Sequence, residues 1–220
     1  DQEIDLAGQV LQRERVHAAG PGPGQPLAHL ARQGGLALPA AAQQGQVARA
    51  HLGRQAAAQG NLLLVSDWGG LYSFDVSDPA AIVQQGVYLK PEVEPWINEI
   101  AISGGYAYLA YPNVGLSILD LSNPAALREV SYIPGGVMGM QVNGDYIYTV
   151  NFIYSPQNYF YNSLSIMDIT NPTDPQVLGA IDLPYDPNNY ASDVVVSGAY
   201  AYVICSELGI YIIDISDPSA

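Results

Sequence analysis

Carboxylates are the residues of this sequence that come closest to a catalytic pattern. Glu92, Glu94, Asp186 and Asp193 lie in or beside variable segments, and two adjacent carboxylates can act as general acid and base or cleave a glycosidic bond. No histidine follows His51, which excludes a nucleophile–histidine pair in the strand-rich part of the chain. No metal-ligand spacing and no phosphate-binding glycine loop occurs. We therefore expect no enzyme activity, no metal and no cofactor; the alternative is an acidic hydrolase or lyase site.

Aromatic side chains suggest a second kind of site, one that binds a ligand without catalysis. Tyrosine and tryptophan offer rigid contact area with a polar tip, and this suits binding to a protein or a glycan. They gather with Asn and Asp in segments 90–98, 152–162 and 184–192. The candidate binding residues are Trp96, Tyr154, Tyr159, Tyr161, Tyr185, Asp186 and Tyr190. The alternative is that these rings only pack on one another and hold long loops in place.

A five-residue unit, Asp-x-Ser/Thr-Asp/Asn-Pro, occurs four times at spacings of 45, 48 and 46 residues. Its Asp and Asx side chains can accept hydrogen bonds from nearby backbone N–H groups, and its proline fixes φ in a turn. One Asp per copy supplies too few oxygen ligands for Ca²⁺. We therefore interpret the units as structural turns. Their first and last residues are Asp75 and Pro79, Asp120 and Pro124, Asp168 and Pro172, and Asp214 and Pro218.

Each repeat predicts four short β-strands, which we label a to d in chain order. The strands are rich in Val, Ile, Leu and Tyr and are bounded by Gly, Pro, Asn and Asp. Four strands at a period near 45 residues are typical of a propeller blade. The predicted fold is an all-β, incomplete β-propeller of about three and a half four-stranded antiparallel blades. The blades span about 60–98, 99–136, 137–191 and 192–220.

The repeat also resembles a known family. Gly-Leu-x-Ile-hydrophobic-Asp, preceded by Gly-x-Tyr-Ala-Tyr-Val, is similar to the LVIVD repeat, with copies at Leu116–Asp120, Leu164–Asp168 and Ile210–Asp214 and a looser copy at Leu71–Asp75. The resemblance covers residues 60–220. It implies a propeller in a bacterial or archaeal protein, an extracellular or cell-surface location, and no defined catalytic residues.

Residues 1–59 differ from the rest in composition. Positions 6–59 use nine residue types and contain no aromatic residue, and the three histidines of the chain, His17, His29 and His51, lie there. The segment is either a disordered low-complexity tail or a frameshifted translation of propeller sequence. On either interpretation its histidines form no site. Residues 52–58 lack β-branched side chains, so we expect the first blade to lack strand a, and we expect further blades beyond both ends of the chain.

Charge excludes several partners. From residue 60 onward the chain has two basic residues, Lys90 and Arg128, and 17 acidic residues. The net charge of this part is therefore 2 − 17 = −15. Such a surface repels nucleic acid and anionic lipid. No apolar run is long enough to predict a membrane span, and Cys205 has no second cysteine for an intrachain disulfide. The expected partner is an unidentified protein or glycan.

One rim of the predicted blades varies and the other does not. In an antiparallel meander the b–c and d–a connections share one rim, and the a–b and c–d turns share the other. From the strand b tyrosine to the strand c aspartate, blades 2 and 4 take 12 residues, whereas blade 3 takes 20, from Tyr148 to Asp168. We predict that binding occurs on the variable b–c/d–a rim.

Overall fold

The structure is a computed structural model that describes residues 55–67, 70–90, 96–154, 160–184, 190–206 and 209–218, with the side chains at 152–154 and 160–161 left outside that description. Every regular element within these ranges is a β-strand. The strands are β1 (Gln55–Gln59), β2 (Leu62–Ser66), β3 (Leu71–Asp75), β4 (Val83–Tyr88), β5 (Glu99–Ser103), β6 (Tyr106–Tyr111), β7 (Gly115–Asp120), β8 (Arg128–Pro134), β9 (Gly136–Asn143), β10 (Tyr146–Tyr154), β11 (Phe160–Asp168), β12 (Gln176–Asp182), β13 (Ala191–Ser197), β14 (Tyr200–Cys205) and β15 (Gly209–Asp214).

The strands form four separate antiparallel meanders, one for each repeat. Blade 1 holds β1–β4, blade 2 holds β5–β8, blade 3 holds β9–β12, and blade 4 holds the three strands β13–β15. The contacts between neighbouring blades include those of β1 with β5, β5 with β9 and β9 with β13, so the a strands lie side by side. This arrangement confirms the predicted all-β propeller of four-stranded blades with an incomplete last blade.

The core lies between the blades, because middle strands such as β6 have apolar residues on both faces. In β6, Ala107, Leu109 and Tyr111 pack toward blade 1, whereas Tyr108 and Ala110 pack toward blade 3. All five side chains are buried. A third apolar cluster joins blades 3 and 4 in the same way. Burial of each large apolar side chain contributes about 1.5–3 kcal/mol, so stacking of blades holds the fold together.

The repeated Asp units form the same turn in every blade. Asp75 Oδ1 accepts a hydrogen bond from the Ser77 backbone N–H at 2.8 Å, and the equivalent bonds of the other three blades measure 2.7–2.9 Å. These bonds lower the pKa of all four aspartates, because they favour the charged carboxylate. The residue that follows each Asp donates its N–H to the a–b turn, as Val76 does to the Asn61 carbonyl at 2.9 Å. The turns therefore tie the invariant rim of each blade together.

The expectation that blade 1 lacks strand a is wrong. β1 pairs with β2 along its whole length, from Gln55 opposite Ser66 to Gln59 opposite Leu62. The hydrogen bonds of the ladder use backbone groups, so the alanine-rich sequence does not prevent pairing, and Ala57 packs against the apolar cluster between blades 1 and 2. Residues 55–59, which the sequence analysis assigned to the low-complexity segment 1–59, therefore belong to blade 1. The rest of that segment, residues 1–54, lies outside the described residues.

Candidate functional site

The hairpin of blade 3 reaches further than the others on the variable rim. β10 and β11 have nine residues each, whereas β6 and β7 have six, and the pairing continues to Tyr154 opposite Phe160. Much of the segment that the sequence analysis treated as a long b–c loop is therefore strand. Of the predicted aromatic residues, Tyr154 and Tyr161 lie on these strands, and their side chains are outside the described residues, as is the whole of Tyr159.

Two predicted binding residues are exposed next to inner strands. The side chain of Trp96 is 44% exposed three residues before β5, and that of Tyr190 is 50% exposed directly before β13. The backbone of Tyr190 is held by Ser206, because each residue donates its N–H to the other, at 3.0 and 3.2 Å. Both aromatic residues lie in d–a connections on the variable rim. Tyr185 and Asp186 lie outside the described residues.

A pocket opens on the same rim between blades 2 and 3. Its volume is about 530 Å³, which lies within the usual range of ligand sites. Its apolar lining includes Leu116, Ile133, Val137 and Met167. Its polar lining is Asn151, Ser163, Ser165 and Asp182, and its remaining lining residues are Pro134, Gly135, Val177 and Ala180. An apolar cavity with a few polar groups is the usual composition of a binding site.

The polar wall of this pocket belongs to β10 and β11. The Asn151 side-chain amide donates to Ser165 Oγ at 2.6 Å and to Ser163 Oγ at 3.3 Å. Thr149 lies on the same face of β10, opposite Ser165, and is fully buried. Its hydroxyl has no hydrogen-bond partner among the described residues. A buried polar group without a partner costs about 1–3 kcal/mol, so this hydroxyl is a feature that packing alone does not explain.

The matching cleft between blades 1 and 2 is filled. Lys90 Nζ lies 2.6 Å from Glu129 Oε2, 3.1 Å from Ser117 Oγ and 4.0 Å from the centre of the Tyr132 ring. The Tyr88 hydroxyl donates to the same Glu129 oxygen at 2.6 Å. Burial alone would raise the pKa of Glu129, because it disfavours the charged carboxylate. The hydrogen bonds from Lys90, Tyr88 and Ser117 outweigh burial and bring the pKa below its usual value. Burial, with Glu129 beside it, strongly raises the pKa of Tyr88.

Substitution by smaller side chains explains why one cleft is open and the other filled. The strand registers align the two clefts residue by residue. Where the filled cleft has a tyrosine, a lysine or a glutamate, the open one has an isoleucine, a glycine, an alanine, a valine or an asparagine. In the following pairs the residue of the filled cleft comes first and the matching residue of the open cleft second: Tyr88 and Ile133, Lys90 and Gly135, Tyr132 and Ala180, Glu129 and Val177, and Tyr111 and Asn151.

Of the carboxylates considered for catalysis, Asp193 lies near an inner-strand carboxylate, Glu99, that the sequence analysis did not select. Glu99 of β5 accepts the Met140 backbone N–H of blade 3 through Oε2 at 2.7 Å. Burial raises the pKa of Glu99 to about 7, Asp193 of blade 4 adds to the increase, and the Met140 bond opposes it. Gly139 of β9 lets the backbone of β13 approach closely, because a Cβ there would lie 2.7 Å from the Ser192 carbonyl oxygen and from Asp193 Cα. Glu92, Glu94 and Asp186 lie outside the described residues.

Within the part of the chain that the structure describes, no three His, Cys, Asp or Glu side chains group as metal ligands. No helix suited to crossing a membrane occurs among the same residues.

The family is decided by the repeat itself. The family model of the LVIVD repeat matches residues 54–90, 97–133, 134–182 and 189–220, one match for each blade. The chain belongs to the LVIVD repeat family. This confirms the resemblance, and the first match begins at residue 54, in agreement with the presence of β1. No curated protein matches this LVIVD repeat chain.

Solved structures share the fold at low identity. The computationally designed Ika4 protein has a TM-score of 0.54 at 6% identity, over 77% of this chain and 94% of that one. The designed Ika8 protein has a TM-score of 0.54 at 6% identity, over 74% and 46%. A chain from the S. cerevisiae structure of Dbp5 bound to Nup159 and Gle1 has a TM-score of 0.52 at 16% identity, over 74% and 44%. This chain spans under half the length of the last two, and these likenesses show the fold alone.

The polar wall of the pocket was missed by the sequence analysis, although a signal was present. Ser163 stands where the other blades have a glycine before strand c, at Gly70, Gly115 and Gly209. Asn151 and Thr149 replace aromatic or aliphatic residues of strand b in blade 2, Tyr111 and Leu109. A comparison of the repeats position by position would have shown three polar residues on one face of blade 3.

Proposed function

We propose that this LVIVD propeller is a recognition module of a surface-exposed or secreted prokaryotic protein. Its ligand is a protein or a glycan, and it binds on the b–c/d–a rim. The observation that carries the proposal is the 530 Å³ pocket beside the extended β10–β11 hairpin. The opposite rim is built from repeated turns and offers no such variation. The extracellular location rests on the family resemblance.

Exposed aromatic residues on the same rim as the pocket support binding. Trp96 and Tyr190 present large side chains to solvent on this rim, and Ser206 holds the backbone of Tyr190 in place. Interfaces are enriched in such residues because they bury much area for little loss of side-chain freedom. The charge of the propeller part favours a neutral or positively charged ligand.

A second candidate function is acid–base chemistry at the centre of the blades. It is favoured by Glu99, whose pKa lies near neutrality as that of a general acid or base does. The carboxylate, however, is engaged in a hydrogen bond that joins blades 2 and 3, and this bond gives it a structural role. We therefore rank recognition above catalysis.

The test uses the purified chain on a glycan microarray and against a phage-displayed library of random 12-residue peptides. Two double variants are then compared with the wild type for each ligand found. Tyr159→Ala/Tyr190→Ala should weaken binding at least about tenfold, as loss of aromatic contact residues does. Glu94→Gln/Asp186→Asn should change it less than about threefold.

Two outcomes contradict the proposal. One is a chain that binds no ligand of either class. The other is a ligand whose binding or turnover is lost only with the carboxylate pair, which would favour the acidic enzyme instead.

A further inference from the structure

The filled cleft between blades 1 and 2 shows which chemistry the open cleft between blades 2 and 3 suits. In the filled cleft the end of strand d contributes an aromatic ring, Tyr88, and a cation, Lys90. Both groups enter between the blades and meet hydrogen-bond acceptors there. At the open cleft the same positions hold Ile133 and Gly135, which supply neither a ring nor a cation.

We propose that the open cleft binds a large apolar, preferably aromatic, side chain of a partner protein that has a positively charged residue beside it. The partner thus supplies from outside what Tyr88 and Lys90 supply from within at the preceding cleft. This inference rests on the proposed function, because it names the ligand chemistry of a site on the same rim.

The size and the lining of the open cleft favour an apolar side chain of the partner, which we call the anchor. The floor is formed by Leu116, Val137 and Met167, which are at most 4% exposed, and the volume of about 530 Å³ accommodates a large ring. Apolar area removed from water by an entering ring drives binding. Interfaces place such anchors in pockets and surround them with polar contacts.

The polar groups specify how the anchor is held. The Ser163 and Ser165 hydroxyls and the Asn151 amide line one wall. These groups can donate to or accept from the polar edge of an indole or phenol ring. An aromatic side chain with a polar atom therefore fits the cleft better than a purely aliphatic one.

The negative charge at and around the cleft favours a positively charged residue next to the anchor. Asp182 lies at the cleft, and no Lys or Arg is among the lining residues. The part of the chain from residue 60 onward carries −15, so a flanking Lys or Arg is attracted and a flanking Glu is repelled.

The experiment measures binding of three capped peptides to the full 220-residue chain by titration calorimetry and by NMR. The peptides are Gly-Lys-Trp-Lys-Gly, Gly-Glu-Trp-Glu-Gly and Gly-Lys-Ala-Lys-Gly. The first should bind at least about tenfold tighter than either of the others, because it alone has both the ring and the cation. Equal binding of the first two peptides would overturn the charge argument, and equal binding of the first and third would overturn the anchor.

Two variants place the binding in the cleft. Ala180 of the open cleft corresponds to Tyr132 of the filled cleft. Ala180→Tyr therefore fills the open cleft with a tyrosine, and it should weaken binding of the Lys-Trp-Lys peptide at least about tenfold. Ala126→Tyr makes the same change at an exposed position on the opposite rim and should leave binding unchanged. Asp182→Lys should reduce the preference for the Lys-Trp-Lys peptide over the Glu-Trp-Glu peptide. Unfolding curves that match the wild type will show that each variant is folded.

The outcomes separate this inference from the proposed function. If Ala180→Tyr leaves peptide binding intact, or if only glycans bind and Ala180→Tyr does not affect them, the cleft proposal is wrong while rim recognition stands. If no array or library ligand is found and the Lys-Trp-Lys peptide also fails to bind, both are wrong.

Discussion

At the scale of single residues, Glu99 shows how burial changes a carboxyl group. Its ordinary pKa of 4.5 rises to about 7, mainly because the charged form loses water between the blades. The folded chain therefore holds this proton more strongly than the unfolded chain does. The stability that Glu99 contributes is complete below pH 4.5 and is lost as the pH rises through 7.

We predict that Glu99→Gln removes this pH dependence. Glutamine keeps an oxygen that can accept the Met140 N–H and removes the titration, so the variant should be more stable than the wild type at pH 8. The expected difference is about 1 kcal/mol, or roughly 2–4 °C in Tm, after a reduction for partial hydration of the group. Unfolding at pH 4 and pH 8 measures it. Asp145→Asn, on an exposed turn, is the control, and equal pH dependence of Glu99→Gln and the wild type would contradict the argument.

At the scale of elements, the ends of neighbouring strands form a polar contact between blades 1 and 2. Lys90 follows β4, and its side chain is 9% exposed against Glu129 of β8, which is 29% exposed. Removal of one partner leaves the other ion buried without its counter-charge. The pair is therefore expected to matter far more than the exposed pair of Arg128 and Asp120, whose closest atoms are 3.6 Å apart.

We predict that Lys90→Met lowers the free energy of unfolding by about 2 kcal/mol. The double variant Lys90→Met/Glu129→Leu should recover most of this loss, because both charges are then replaced by apolar groups of similar size. Urea unfolding of the two single variants and the double variant gives the coupling. Arg128→Ala is the control and should change little. Additive losses in the double variant would show that the pair does not act as a unit.

Strands were predictable to different degrees. β6 and β14 carry Tyr-Ala-Tyr runs after a glycine, and both were predicted to within one residue, because pattern and turn chemistry agree there. β1 was missed because its sequence is mostly alanine and glutamine, and its backbone pairing with β2 decides its conformation. The extension of β10 and β11 was also missed, since the polar residues at their ends resemble a loop.

At the scale of the whole molecule, blade 4 carries an exposed apolar face. Ile210 and Ile212 are 62% and 65% exposed, whereas the equivalent Leu164 and Ile166 of blade 3 are 1% and 7% exposed because blade 4 covers them. A face of this kind favours association with another sheet.

We therefore predict that the purified 220-residue chain self-associates through this face. Ile210→Lys/Ile212→Lys should raise the monomer fraction several-fold, because two charges on the face oppose its burial. Sedimentation velocity measures the fraction. Val83→Lys/Val87→Lys changes two exposed positions of β4 and should have no comparable effect. A wild-type chain that is monomeric and melts cooperatively would be inconsistent with this prediction.

The sequence by itself determined the repeat, the strand content and the turn units, because these depend on residues close together in the chain. The candidate site depended on contacts between repeats. Asn151 and Ser165 meet Leu116 and Ile133 only after blades 2 and 3 stack, and the cleft is open because residues up to 45 positions apart are small at the same point. The sequence predicted recognition on the variable rim, and only the packing of one blade against the next showed where on that rim a ligand would have room.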